Sequence, residues 1–141
     1  MPLTQQSADL VGYDSQGRVC LLAEVKGRKE TTAAWASEFR RNLLDGDHTG
    51  APLFVIAARD NIYVWLRRAA GASAPQYVLD AQQVLDVYLS KVSLAPEEIR
   101  GETFKFVVLS WLRDLAGIGA AGKSAGEKRL ADALKNTHIE S

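Results

Sequence analysis

Two acidic residues and a lysine form a pattern that can do chemistry. Glu24 and Lys26 are two apart near the end of an apolar segment, and Asp9 precedes Glu24 by 15 residues in another apolar segment. Side chains two apart on a strand point to the same face of a sheet, so Glu24 and Lys26 are expected to project together. A turn at Ser15–Gly17 folds the two segments into a hairpin and brings Asp9 towards Glu24.

This trio suits the metal-assisted hydrolysis of a phosphodiester. The carboxylates of Asp9 and Glu24 hold a hard divalent cation such as Mg2+ or Mn2+, which prefers oxygen ligands, and the Val25 carbonyl adds a third oxygen. The cation polarises the phosphate and lowers the pKa of a bound water. Lys26 orients that water or stabilises the negative charge of the transition state. The expected catalytic residues are Asp9, Glu24 and Lys26, and the expected metal ligands are Asp9, Glu24 and Val25; a solvated strand end without function is the alternative.

Basic residues are concentrated just after this motif. Residues 26–41 include five basic and two acidic side chains, whereas residues 80–102 include five acidic and two basic ones. Side chains of this kind contact the phosphates of a nucleic acid and position it. A solvated helix face is the alternative explanation. The residues expected to bind nucleic acid are Arg28, Lys29, Arg40 and Arg41.

Length and composition exclude several classes of protein. The chain has 141 residues, 47% of them apolar and 24% charged, which fits one globular domain and excludes low-complexity disorder. Its 17 basic residues balance 17 acidic ones, unlike the strongly basic composition of a nucleic-acid coat protein. One cysteine makes no internal disulfide, and no run of about 18 apolar residues predicts a membrane span. The first ten residues lack a secretory signal pattern, so we expect a cytoplasmic protein.

The hydrophobic pattern predicts the elements that must position the trio. The segment ending at Lys26 is apolar on both faces, as in the centre of a sheet. Together the elements predict an α/β fold, a mixed central sheet flanked by helices, over residues 1–116, with a Gly-rich segment and tail over residues 117–141. The predicted strands are Ala8–Asp14, Arg18–Lys26, Pro52–Ala58 and Ile62–Leu66; the predicted helices begin at Thr31 or Thr32, at Asp80 and at Pro96, with a last, loosely held one over Glu127–Asn136.

The long helix predicted from Pro96 to Ala116 is apolar over more than one face. Phe104, Val108 and Trp111 fall on one stripe with Leu115, and Phe106, Val107 and Leu109 widen it. A small domain has little interior in which to bury both faces. We therefore expect a homodimer, or docking to a larger partner, through this helix.

The two motifs resemble those of a known family. The run Ala-Asp-Leu-Val-Gly-Tyr-Asp with Asp9, followed by Ala-Glu-Val-Lys-Gly-Arg with Glu24 and Lys26, is similar to the PD-(D/E)XK nuclease superfamily, which has the restriction endonuclease-like fold. The resemblance covers roughly residues 8–66. It implies that Asp9 and Glu24 bind Mg2+, that Lys26 is catalytic, and that nucleic acid is the substrate, with DNA favoured over RNA. In the helix after the motif it offers Glu38, Arg40 and Arg41 as the polar residue that faces the site.

Departures from the family pattern leave two other functions open. Ala8 stands where the family has proline, and the seven residues before Ala8 are too few for the acidic helix with which the family often begins. Members of the superfamily also include inactive proteins, so the first alternative is a binding or assembly module without catalysis. The second is a P-loop nucleotide binder, because Gly117–Ser124 matches G-x-x-x-x-G-K-S. That motif requires a strand before it and a helix after it.

Overall fold

A computed structural model describes residues 8–68, 73–92, 99–118 and 124–141. Within these ranges the chain forms a six-stranded mixed sheet flanked by four helices, which confirms the predicted α/β class. Likeness to the restriction endonuclease fold stays a prediction. The strands are β1 (Leu10–Tyr13), β2 (Val19–Val25), β3 (Leu53–Ala57), β4 (Asn61–Trp65), β5 (Tyr77–Asp80) and β6 (His138–Glu140), and the helices are α1 (Ala33–Asp45), α2 (Ala81–Lys91), α3 (Gly101–Ile118) and α4 (Ala125–Ala133).

The order of the strands brings four strand ends together at one edge of the sheet. The order is β5-β4-β3-β2-β1-β6, in which β2 and β3 are parallel and every other neighbouring pair is antiparallel. Helix α1 makes the crossover that a parallel pair requires. As a result, the carboxyl ends of β2 and β3 lie beside the amino ends of β1 and β4. We call this edge the site end of the sheet.

The hairpin of β1 and β2 forms as predicted. Gly17 adopts a φ of 80°, a left-handed conformation that glycine reaches without a steric penalty, and its N–H donates to the Asp14 carbonyl at 2.9 Å. The register pairs Leu10 with Ala23 and Val11 with Leu22. One further step along this antiparallel pairing sets Asp9 opposite Glu24, at the site end.

Helix α1 begins and ends where the sequence predicts. The Thr32 side chain accepts the N–H of Trp35 at 3.1 Å as the N-cap, and the Gly46 N–H returns to the carbonyls of the last turn. Trp35, Phe39 and Leu43 pack against the sheet as one stripe. The helix therefore covers the face of the sheet towards which Leu22 and Glu24 point.

The two faces of the sheet bury different sets of side chains. What we call the larger core lies under α2, α3 and α4, and the smaller core lies under α1. The larger core includes Leu10, Leu21, Ala23, Val55, Val64, Leu79, Leu85, Phe104, Val108, Trp111, Leu115, Leu130, Leu134 and Ile139. The smaller core includes Val11, Leu22, Ala36, Phe54, Ile56, Tyr63 and Trp65.

The C-terminal segment is more ordered than predicted. The helix expected there to be loosely held is α4, and its Leu130 is fully buried in the larger core. Strand β6 follows and pairs with β1, placing Ile139 opposite Gly12. Strand β5 was not predicted either. These edge strands depend on partners distant in sequence, and strand formation depends more on such context than on local preference.

The long helix differs from its prediction at its start and on one side. Helix α3 begins at Gly101, and Pro96 lies outside the described residues. Phe104 and Trp111 are buried as expected, whereas Phe106 is 61% exposed. The expected homodimer or partner contact stays a prediction. Among the described residues, no helix combines the length and apolar character needed to cross a bilayer.

Candidate active site

The carboxylates of Asp9 and Glu24 come together at the site end of the sheet. The Asp9 N–H donates to Glu24 Oε2 at 3.0 Å, and the Val25 N–H donates to Asp9 Oδ2 at 2.8 Å. Each carboxylate is therefore held by the backbone of the opposite strand. Both side chains lie on the α1 face, which is the convergence that the hairpin argument predicts.

Lys26 completes the trio. Its Nζ lies 3.3 Å from Glu24 Oε1 and 4.6 Å from the centre of the Phe39 ring on α1. The Lys26 side chain is 36% exposed, whereas that of Glu24 is 4% exposed. The ammonium group is therefore held by a buried carboxylate and an aromatic face, and part of the lysine remains accessible to a substrate.

Burial and a neighbouring negative charge oppose the ionised form of Glu24. Burial raises the pKa of the Glu24 carboxyl, the charge of Asp9 raises it further, and Lys26 offsets part of the effect. Because two carboxylates held close together repel each other, a cation between or beside them stabilises their ionised forms. In the structure Lys26 is the cation beside this pair, 3.3 Å from Glu24 Oε1.

The donor set fits Mg2+ or Mn2+. Across residues 8–68, 73–92, 99–118 and 124–141, no group of three or more His, Cys, Asp or Glu side chains is placed to hold a metal ion. Mg2+ commonly binds through one or two carboxylates together with waters and substrate phosphates, which matches Asp9 and Glu24. Val25 ends β2 beside them, its N–H already bonded to Asp9. Its carbonyl remains the expected third ligand.

The predicted nucleic-acid residues separate into an exposed set and one buried side chain. Arg28 and Lys29 are exposed in the loop after β2, and the Arg28 guanidinium lies 5.2 Å from the Trp35 ring. Arg41 is exposed on α1 and forms an ion pair with Glu38. Arg40 is 1% exposed and lies 5.2 Å from the Trp65 ring in the smaller core.

Arg40 is therefore a correction to the sequence prediction. It lies one helical turn after the buried Ala36, so both face the sheet rather than the solvent. A phosphate on the protein surface does not reach a guanidinium in that position. Burial lowers the pKa of the Arg40 guanidinium, and the nearby charge of Arg68 adds to the effect. Of the polar residues offered on α1, Glu38 and Arg41 face outward and pair with each other.

A hydrogen-bond cluster beside the trio was not predicted. The Asp60 carboxylate accepts the Thr31 N–H at 2.8 Å and the Thr31 hydroxyl at 2.7 Å, and that hydroxyl lies 2.7 Å from the Tyr63 hydroxyl. Burial raises the pKa of the Asp60 carboxyl, but the hydrogen bonds from Thr31 and from the backbone of Asp60 and Asn61 together outweigh it, and the net pKa is lowered. The cluster ties the loop after Lys26 to the β3–β4 turn. From the sequence, Asp60 is predicted only as part of a turn. A turn residue gives no indication of a hydrogen bond to a residue 29 positions away.

The P-loop alternative lacks its structural context. Gly117 lies in α3, so a helix and not a strand leads into the G-x-x-x-x-G-K-S segment. Residues 119–123 lie outside the described residues. Ser124 is the N-cap of α4, and its hydroxyl accepts the Glu127 N–H at 3.2 Å.

Comparison with known proteins adds no family assignment. No protein-family model, curated protein or solved structure matches the chain. Chemical interpretation therefore depends on the geometry of its own residues. Paired oxygen donors beside a partly exposed ammonium group can bind a divalent cation and a phosphate together.

Proposed function

We propose that this chain is a metal-dependent nuclease that hydrolyses phosphodiester bonds in nucleic acid. The observation that carries the proposal is the convergence of Asp9, Glu24 and Lys26, with Lys26 Nζ 3.3 Å from Glu24 Oε1. DNA is favoured over RNA because the two motifs resemble those of restriction endonuclease-like proteins.

Each member of the trio has a distinct role in this proposal. Asp9 and Glu24 hold Mg2+ or Mn2+, which when bound supplies a Lewis acid for the phosphate and an acidified water. The backbone bonds from Asp9 and Val25 fix the directions of the two carboxylates. Lys26 stabilises negative charge that develops on the phosphate oxygens, a contribution that increases in a site with little water.

The surface next to the trio supports an anionic substrate. Arg28 and Lys29 are exposed within three residues of Lys26, and each adds a positive charge to the loop that follows the trio. Contacts between such residues and phosphates position a nucleic acid without reading its sequence. The ring of Trp35 supports the Arg28 guanidinium at 5.2 Å.

Three substitutions test the assignment of roles. Lys26→Ala is expected to reduce the rate of cleavage by about 10²–10³-fold and to leave metal binding largely intact. Asp9→Asn and Glu24→Gln are expected to lose metal binding and cleavage together, because each removes one of two carboxylate ligands. Cleavage is measured on linear duplex DNA, single-stranded DNA and RNA with Mg2+ or Mn2+, and metal binding by calorimetry.

Matched controls separate these effects from a general change in charge. Lys128→Ala and Glu140→Gln alter exposed residues of α4 and β6 and are expected to keep full activity. Equal cleavage by the wild type and all three site variants contradicts the proposal, since it indicates a contaminating nuclease. Nucleic-acid binding without metal-dependent cleavage by the wild type favours the inactive binding module instead.

A further inference from the structure

A cavity of about 400 Å³ lies at the site end of the sheet, on the face opposite the two carboxylates. Its floor is apolar and comes from Leu85 of α2, Ile99 just before α3, and Phe104 of α3, each of which is less than 5% exposed. Its polar lining carries charges of both signs, with Lys29 and Arg59 beside Glu30 and Asp60, and Gln82 lies exposed at the rim. An apolar pocket with a few polar groups at its mouth is the usual form of a small-ligand site, and this volume is at the low end of the range for such sites.

The wall of the cavity carries a planar cation. The Arg59 guanidinium lies 5.1 Å from the centre of the Phe104 ring and donates a hydrogen bond to the Ile99 carbonyl. These contacts hold the guanidinium in a defined orientation within the wall. Arg and aromatic side chains are the groups on which nucleobases stack in proteins that bind single strands.

The backbone connects the cavity to the catalytic trio. The Lys26 N–H donates to the Ala57 carbonyl at 2.9 Å, and the Arg59 N–H donates to the Arg28 carbonyl at 3.0 Å. The loop from Lys26 to Lys29 therefore runs directly alongside Arg59. Glu30, at the rim, has a φ of 57°, an uncommon conformation for a residue with a side chain, which turns the chain so that Thr31 reaches Asp60.

We propose that this cavity binds the nucleobase of the nucleotide next to the scissile phosphate. The base occupies the apolar floor beside Phe104 and Arg59, and Lys29 at the rim contacts the sugar-phosphate chain. This inference rests on the proposed function, because it assigns a substrate subsite to the same active site. A free mononucleotide offers the same chemistry, a base joined to a phosphate, and the experiment separates the two sources.

The experiment measures binding by calorimetry on the whole protein without divalent metal. The probes are dAMP, dTMP, deoxyribose 5-phosphate and a single-stranded DNA of ten nucleotides. Gln82→Trp fills the mouth of the cavity from an exposed position, and Gln83→Trp is its matched control, because Gln83 is the next residue of α2 but does not line this cavity. Lys29→Ala removes the rim cation, and thermal melting checks that every variant is folded.

Both mononucleotides are expected to bind at least about tenfold more tightly than deoxyribose 5-phosphate, since stacking contributes substantially for each base. Gln82→Trp is expected to weaken the binding of dAMP, dTMP and the oligonucleotide about tenfold, and Gln83→Trp to leave it unchanged. Equal binding of deoxyribose 5-phosphate, or no difference between the two tryptophan variants, overturns the proposal. If mononucleotides bind tightly but the oligonucleotide does not compete with them, the cavity is a site for free nucleotides. That outcome also overturns the proposal.

Failure of this inference is distinguishable from failure of the nuclease assignment. Metal-dependent cleavage that is sensitive to Lys26→Ala, together with base binding that is insensitive to Gln82→Trp, overturns the cavity assignment alone. Base binding blocked by Gln82→Trp in a protein that cleaves nothing overturns the nuclease assignment. In that case the cavity is a nucleotide-binding site in a protein without nuclease activity.

Discussion

The two faces of the sheet differ in what covers them and in what they bury. Helices α2, α3 and α4 cover one face, and the side chains beneath them form the larger core, which is mainly apolar. Of the helices in the described part of the chain, only α1 covers the other face, where Glu24, Thr31, Ser37 and Arg40 are buried. Such polar groups are costly to bury unless they are paired. The comparison indicates that most of the apolar burial lies on one face, whereas most of the buried polar side chains lie on the other.

The raised pKa of the Glu24 carboxyl reflects its burial on the α1 face beside another carboxylate. Burial and the charge of Asp9 both oppose its ionised form, although an ionised carboxylate is what a metal ligand requires. Perturbed pKa values occur at functional sites and in structural ion-pair networks alike. On the larger-core face, the buried Glu127 instead accepts a hydrogen bond from the Trp111 ring N–H at 3.1 Å.

The largest expected effect is on the larger core. Leu112→Ala in α3 removes a fully buried side chain and is expected to cost about 2–5 kcal/mol of unfolding free energy. Leu43→Ala removes a half-buried side chain from α1, so we expect a cost below about 2 kcal/mol. Urea denaturation of both variants measures the difference. Equal costs would contradict the division of stability between the two faces.

A smaller effect tests how closely α4 packs on β5. A Cβ added at Gly126 would lie 2.7 Å from Leu79 Cδ2 and 3.1 Å from the Tyr77 ring. Gly126→Ala is therefore expected to cost about 1–3 kcal/mol from overpacking, less about 1 kcal/mol gained in helix propensity. Gly117→Ala in α3 is the control, because among the described residues no heavy atom lies within 4 Å of its added Cβ.

The two glycine variants are therefore expected to change thermal stability in opposite directions. Gly117→Ala should raise the melting temperature slightly, since alanine favours a helix and its Cβ meets no atom of the described residues. A stabilising Gly126→Ala would show that α4 does not dock on β5 as closely as these distances require. Calorimetric melting of both variants at one pH makes this comparison.

The smallest expected effect is the dependence of stability on pH at Glu24. Because the folded pKa is raised above the ordinary value of 4.5, the native state holds more protons than the unfolded state between the two values. Glu24 therefore lowers stability as pH rises through that window. We expect Glu24→Gln to melt above the wild type at pH 7 and at a similar temperature near pH 4.

The pKa of Asp60 is shifted in the opposite direction to that of Glu24. Its folded pKa is lowered, so its stabilising contribution is present above the ordinary value of 3.8 and is lost as pH falls through the folded value. Asp60→Asn is therefore expected to lower the melting temperature at pH 7.

Adding Mg2+ should raise the melting temperature of the wild type but not of Glu24→Gln. A lower melting temperature for Glu24→Gln at pH 7 would contradict the electrostatic account.

The sequence by itself determined the parts of the protein that depend on local geometry. The continuous apolar run of β2, the turn at Gly17 and the Thr32 cap act over a few residues, and the structure contains all of them. The convergence of Asp9 and Glu24 follows from the same hairpin, because their separation along the chain sets them opposite each other. The candidate site was therefore predictable from its own segment.

Only the tertiary structure decided which side chains are enclosed and what lies beside the site. Arg40 and Arg41 are adjacent residues of the same type, but the packing of α1 on the sheet buries Arg40 and leaves Arg41 exposed. Thr31 and Asp60 are 29 residues apart, and their hydrogen bonds depend on the pairing of β2 with β3. Strands β5 and β6 likewise exist through partners distant in sequence. Contacts of this range depend on packing of the whole chain, which no local pattern records.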